Sequence, residues 1–222
     1  MNSFIVNKKT CSTHIVATTL GALVGLAGIN HGLFEVLQGN VKPEGYFISA
    51  IGPSQRFWEY GFETALTIVP NIMVTGILAV AFGILVTIWS FLYIDRSFGP
   101  GILLVLSIIL FLVGGGFGPI FMAIIASLTA TRINKPAVKL VDILPTRLNK
   151  LLAKIWFGVL VVFMVVFLIS VEIAVFGWPL TLYFNADTTL KYLNSIAYVM
   201  LALMLLAVFT GLVHDAIEAH KS

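Results

Sequence analysis

Along the chain, long apolar runs alternate with short polar breaks, and the lengths of the runs set the reading. Runs at residues 15–37, 66–93, 102–130, 155–183 and 192–213 are each long enough to cross a hydrocarbon layer of ~30 Å at 1.5 Å per residue. The pattern predicts an all-α polytopic integral membrane protein, with residues 1–222 forming one membrane domain of about five transmembrane helices. The third run is interrupted by Gly114-Gly115-Gly116-Phe117-Gly118-Pro119. Glycines disfavour helix, and proline suits the first turn of a new one, so two half-helices of about 20 Å each are expected. They either meet within one crossing, giving five spans, or fold back as a re-entrant hairpin beside four. One crossing leaves fewer backbone groups to satisfy and is the preferred expectation.

The first run carries more than hydrophobicity. In Gly21 to Gln38, GALVGLAGINHGLFEVLQ, Gly21, Gly25, Gly28 and Gly32 fall within about 60° on a helix. They form a smooth groove for close helix packing, able to receive another membrane helix. His31, Glu35 and Gln38 form a second, adjoining polar stripe, which lipid cannot satisfy and which is expected to face protein or water. Asn30 points elsewhere. The polar lead with Lys8 and Lys9 has the form of a signal peptide, but the apolar run continues through Leu37, so the first span is read as retained.

Between the runs, residues 39–65 are punctuated by glycine and proline and rich in aromatics, which predicts an interfacial segment. A short helix capped by Ser54 would set Phe57, Trp58 and Phe62 at headgroup depth. Glu59 and Glu63 would share one of its faces, as solvated acids or as carboxylates on a lid over a cavity. Residues 131–154 hold Arg132, Lys135, Lys139, Arg147, Lys150 and Lys154 against only Asp142. This basic stretch is read as a cytoplasmic loop, with short amphipathic pieces around Pro145 resting on anionic lipid. Of the 13 Lys and Arg, five spans with the N-terminus outside place nine inside and four outside. Four spans plus a hairpin place ten inside and three outside, and both arrangements obey the positive-inside rule.

Composition agrees with a bilayer as solvent: 59% of residues are hydrophobic and 10% charged, with a mean hydropathy of +1.03, far from soluble domains. A net charge of +3 reflects the basic loop, which has no base-stacking aromatics, so no nucleic-acid partner is expected. The lone Cys11 excludes an internal disulfide. No cofactor or metal is expected: His214 and Glu218 are spaced for a metal but sit in a polar tail, and His14 and His31 are too far apart for bis-histidine haem. No HExxH, GxSxG or phosphate-loop motif assigns catalysis.

Chemistry concentrates in His31, Glu35 and Gln38 on the first span and Glu172 on the fourth, with Gly114, Gly115, Gly116, Gly118 and Pro119 as the wall of the same site. A histidine beside carboxylates can hold or pass a proton. The expectation is a multi-pass protein of the cell membrane, a proton-linked transporter of a small solute or ion. Two alternatives stand beside it: a noncatalytic scaffold whose glycine groove receives a partner helix, and an intramembrane lipid-modifying enzyme using His31 or a carboxylate as base.

Overall fold

A computed structural model describes residues 11–221; the lead with Lys8 and Lys9 lies outside them. Its helices are α1 (Ser12–Leu37), α2 (Ile72–Leu92), α3 (Gly99–Leu112), α4 (Phe117–Ala130), α5 (Lys139–Ile143), α6 (Thr146–Phe176) and α7 (Ala186–Lys221). Four of these, α1, α2, α6 and α7, are long and apolar enough to cross a membrane. Outward they carry large apolar side chains such as Ile84, Phe91, Val161 and Val165, as a helix bundle in lipid requires.

α1 is the innermost helix: 61% of its apolar stretch is buried, against 28–33% for the other three. Its glycines explain how. A Cβ on Gly25 would stand 2.5 Å from the Gly83 carbonyl oxygen, and one on Gly32 would stand 2.6 Å from that of Gly76. The converse distances, from Gly83 to the Gly25 oxygen and from Gly76 to the Gly32 oxygen, are 2.7 Å and 2.5 Å. α1 and α2 thus run antiparallel in backbone contact, with glycine facing glycine. Gly28 receives Leu110 of α3, 2.6 Å from its missing Cβ, and Gly21 lies against Ser90 and Leu103. At Gly21, Gly25, Gly28 and Gly32 the groove is thus occupied by α2 and α3 of the same chain.

α3 and α4 fold back on one another as a helical hairpin, the alternative to the preferred expectation of one interrupted crossing. α3 climbs beside α1, with Leu103 at Gly21 and Leu110 at Gly28. After Gly116, α4 descends again, until the Ile133 carbonyl accepts a bond from the Cys11 thiol at 3.7 Å. Asn134 Nδ2, beyond α4, donates to the carbonyl of Asp95, ahead of α3, at 3.4 Å. The segment leaves on the side where it entered. A single crossing saves backbone groups only if the tip lacks partners, and here it has them. Gly114 N donates to Leu66 O at 2.9 Å and Ile68 N to Leu112 O at 3.0 Å, so the tip pairs with the strand ahead of α2.

That strand, β2 (Thr64–Leu66), pairs antiparallel with β1 (Phe47–Ser49), a small sheet inside the segment expected to hold a short helix. Only one 3-10 turn forms, at Pro53–Gln55; Gly52, Pro53 and Gly61 punctuate the segment too closely for more. Gln38 Nε2 donates to Ser49 O and Ala50 O at 3.0 and 2.7 Å, and Trp58 Nε1 to Ala174 O at 3.0 Å. These bonds close the sheet over α1 and α6. At the other end α6 begins at Thr146, inside the expected loop, so the basic stretch holds α5 and the first turns of α6. All six of its basic side chains are exposed.

Glycine substitution tests this packing. Gly25→Ala and Gly83→Ala are each expected to cost about 1–3 kcal/mol of unfolding free energy in detergent, whereas Gly158→Ala, which meets nothing within 4 Å, is expected to be neutral or mildly stabilising.

Candidate functional site

The hairpin tip is pressed onto the polar stripe of α1. Gly114 (φ 102°) and Gly116 (φ 80°) lie in the left-handed region, which glycine enters without strain. A Cβ on Gly116 would stand 2.5 Å from His31 Cε1, and one on Gly114 would strike the Glu35 carboxyl, 2.5 Å from Oε1. Both positions need glycine twice over, for conformation and for space. Beneath them Glu35 is fully buried and His31 nearly so, 0% and 7% exposed. Glu35 Oε1, Glu35 Oε2 and His31 Nδ1 all lack a hydrogen-bond partner. No Lys or Arg occurs in α2, α3, α4 or β2, the elements closed around them.

His31 also borders a cavity of about 670 Å³ between α1, α4, α6 and α7. Leu23, Ala27, Met122, Phe163, Phe167 and Met204 are among its apolar walls, and its polar groups are Asn30, His31, Glu63 and Ser170. Gly118 and Pro119 in the first turn of α4 line it; Gly114, Gly115 and Gly116 instead pack on Glu35, Leu110 and His31. Phe121, Ile124, Leu168 and Leu201 line the cavity and are exposed on the outer surface too. The cavity therefore opens sideways, through the apolar belt.

Two expected site residues are placed elsewhere. On α6, Phe163, Phe167, Ser170 and Ala174 cluster toward the cavity, and at 100° per residue Glu172 points to the opposite side. It lies among the outward residues Val161, Val165 and Ile169, one turn before the helix ends at Phe176. That position lets a carboxylate reach the interface, and the helix ends seven residues earlier than its apolar run. Gln38 is spent on the carbonyls of Ser49 and Ala50. In their place come Asn30, which the stripe argument had set aside, and Glu63, brought over the cavity by the β2 strand. Burial raises the Glu63 carboxyl above its ordinary value of 4.5. The signal for Glu63 was its place among aromatic residues in a segment too polar to span.

Comparison with family models, curated proteins and solved structures finds no match.

A second polar cluster joins α1 to α7 at the opposite end. Asp215 accepts from the backbone N–H of Ser12 and Thr13 at 2.9 and 2.8 Å and from the Cys11 thiol at 2.6 Å. It caps the orphan donors at the start of α1. Ser12 Oγ and Asp215 Oδ1 both meet His214 at Nδ1, at 2.7 and 3.3 Å. A serine triad needs the two ring nitrogens separately, one for each partner, so this is an anchor. Burial, and after it the bond to Asp215, pushes the Cys11 thiol up to about 12, which leaves it a poor nucleophile.

The tip geometry predicts a sharp contrast. Gly116→Ala adds left-handed strain to a collision with His31 and is expected to cost about 2 kcal/mol or more in unfolding measurements. Gly118→Ala, two residues on and with nothing within 4 Å, is expected to change stability by less than about 0.5 kcal/mol.

Proposed function

We propose that the protein spans the cell membrane with α1, α2, α6 and α7, that α3 and α4 enter as a hairpin from the cytoplasmic side, and that it binds a small amphiphilic molecule taken from the bilayer. The observation that carries this reading is the sideways-opening, apolar cavity of about 670 Å³ whose few polar groups gather at one end. Such a shape suits a ligand with an apolar body and one polar head. The exposed basic residues of α5 and early α6 support contact with anionic lipid and a cytoplasmic position for that end.

Proton-linked transport of a small solute or ion is the second reading. The unpartnered His31 Nδ1 and Glu35 oxygens favour it, because buried groups without partners are where a proton can matter. A hydrophilic cargo has less in its favour, since the cavity walls are apolar and Glu172 faces outward. A lipid-modifying enzyme with His31 as base has less in its favour, since no hydrogen bond joins His31 Nδ1 to Ser170 or to another described group.

The test is extraction of ligand from protein purified in nanodiscs. Wild type is expected to carry an amphiphile detected by mass spectrometry and missing from empty discs, and Ala27→Phe combined with Ala174→Phe, which places two rings in the cavity, is expected to lose it. Equal extracts from wild type, the filled variant and empty discs contradict the reading.

A further inference from the structure

The charge balance of the cavity points to the chemistry of its ligand. Among the side chains lining it, Glu63 is the one carboxyl, and no Lys or Arg is present. The remaining polar groups, Asn30, His31 and Ser170, can all offer a lone pair to a donor. A phosphate or carboxylate head would meet Glu63 with no cation to pair it, at a site walled by hydrocarbon. Of the enclosing elements, α4 has no charged residue, nor does α7 between Tyr192 and Val213. Lys191 at the start of α7 is exposed and outside the lining, and Arg56, on the segment that carries Glu63, lies 5.1 Å over the Phe62 ring and also outside the lining. Glu172 is on the far side of α6, and Glu35 is sealed under Gly114. Below the polar end, Phe121, Phe163 and Phe167 provide aromatic walls for an apolar skeleton.

We propose that the ligand is a cationic amphiphile, a protonated or quaternary amine on an apolar skeleton, with the ammonium at Glu63 beside Asn30 and His31 and the skeleton along α4 and α6. The proposal rests on reading the cavity as a ligand site. Ser170 lies about 9 Å from the end of α6 and Phe163 about 20 Å, at 1.5 Å per residue. The head therefore sits near the sheet and the tail runs toward the bilayer middle.

Charge also fixes the direction of pH dependence. Burial makes Glu63 give up its proton later than a free glutamate does. As pH rises Glu63 becomes anionic, and cation binding strengthens. His31, the other titratable group lining the cavity, loses any positive charge in the same direction. A quaternary ammonium keeps its charge throughout, so with such a probe the pH dependence belongs to the protein.

The experiment titrates the full chain, in nanodiscs of zwitterionic lipid, with dodecyltrimethylammonium, dodecyl sulfate and a neutral dodecyl glycoside, each against empty discs. Wild type is expected to take the ammonium about tenfold or more tighter than the glycoside, to ignore the sulfate, and to tighten as pH rises above the ordinary glutamate value of 4.5. Glu63→Gln is expected to weaken only the ammonium, by about tenfold, and to flatten its pH profile; Glu63→Lys is expected to shift preference toward the sulfate. Ala27→Phe should weaken every probe. If both Glu63 variants bind the ammonium as wild type does while Ala27→Phe still weakens all probes, the cationic head is overturned and the cavity reading survives. If no substitution affects any probe, the cavity reading falls with it.

Discussion

A polypeptide that breaks its helix inside an apolar bundle must find partners for the backbone groups it frees, since hydrocarbon offers none. Here the solution is local and specific. The tip between α3 and α4 is received by the strand ahead of α2, through Gly114 N to Leu66 O and Ile68 N to Leu112 O, while Gly115 N turns back to Leu110 O at 2.8 Å. Thr67 and Val113 bridge the two. These bonds fix the depth of the hairpin, tie it to the β1–β2 cap, and bring Gly114 and Gly116 onto Glu35 and His31. The first turn of α4, with Gly118 and Pro119, then becomes a cavity wall.

The second constraint is how closely α1 can be approached. Small residues let backbones meet where side chains would hold them apart, and α1 uses this on two neighbouring lines, with Gly25 and Gly32 against α2, Gly28 against α3 and Gly21 between Ser90 of α2 and Leu103 of α3. The remaining face of α1, with Leu23, Ala27, Asn30 and His31, borders the cavity. Packing and site thus divide one helix between them. The three unpartnered polar atoms of His31 and Glu35 work against the fold at about 1–3 kcal/mol each, and the tight glycine contacts around them offset that cost.

Much of this was legible in the residues. The glycine register of α1, the burial of His31 and Glu35 and the break at Gly114 to Pro119 all follow from spacing and from the intolerance of lipid for polar groups. The fold-back did not follow, because its stability depends on a strand about fifty residues earlier in the chain, which carries no periodic signal of its own. Glu172 misled for a related reason. The apolar run continues past Phe176, but Gly177 and Pro179 end the helix, so a residue that looks central in the run stands one turn from the helix end. Gln38 belonged to the polar stripe by rotation, yet it lies beyond the end of α1, where carbonyls of the sheet claim it. Glu63 reaches the cavity through sheet pairing that hydrophobic periodicity does not encode.

The hairpin is the element on which both the cap and the cavity depend, and cross-linking across its base tests it directly. In a Cys11→Ser background, Asp95→Cys and Asn134→Cys introduce a pair at the positions now joined by the 3.4 Å bond from Asn134 to the Asp95 carbonyl. Rapid disulfide formation in native membranes, with both cysteines labelled from the same side, is the predicted result. Two reactive cysteines that never cross-link and are labelled from opposite faces, as a single interrupted crossing of ~30 Å requires, would contradict it.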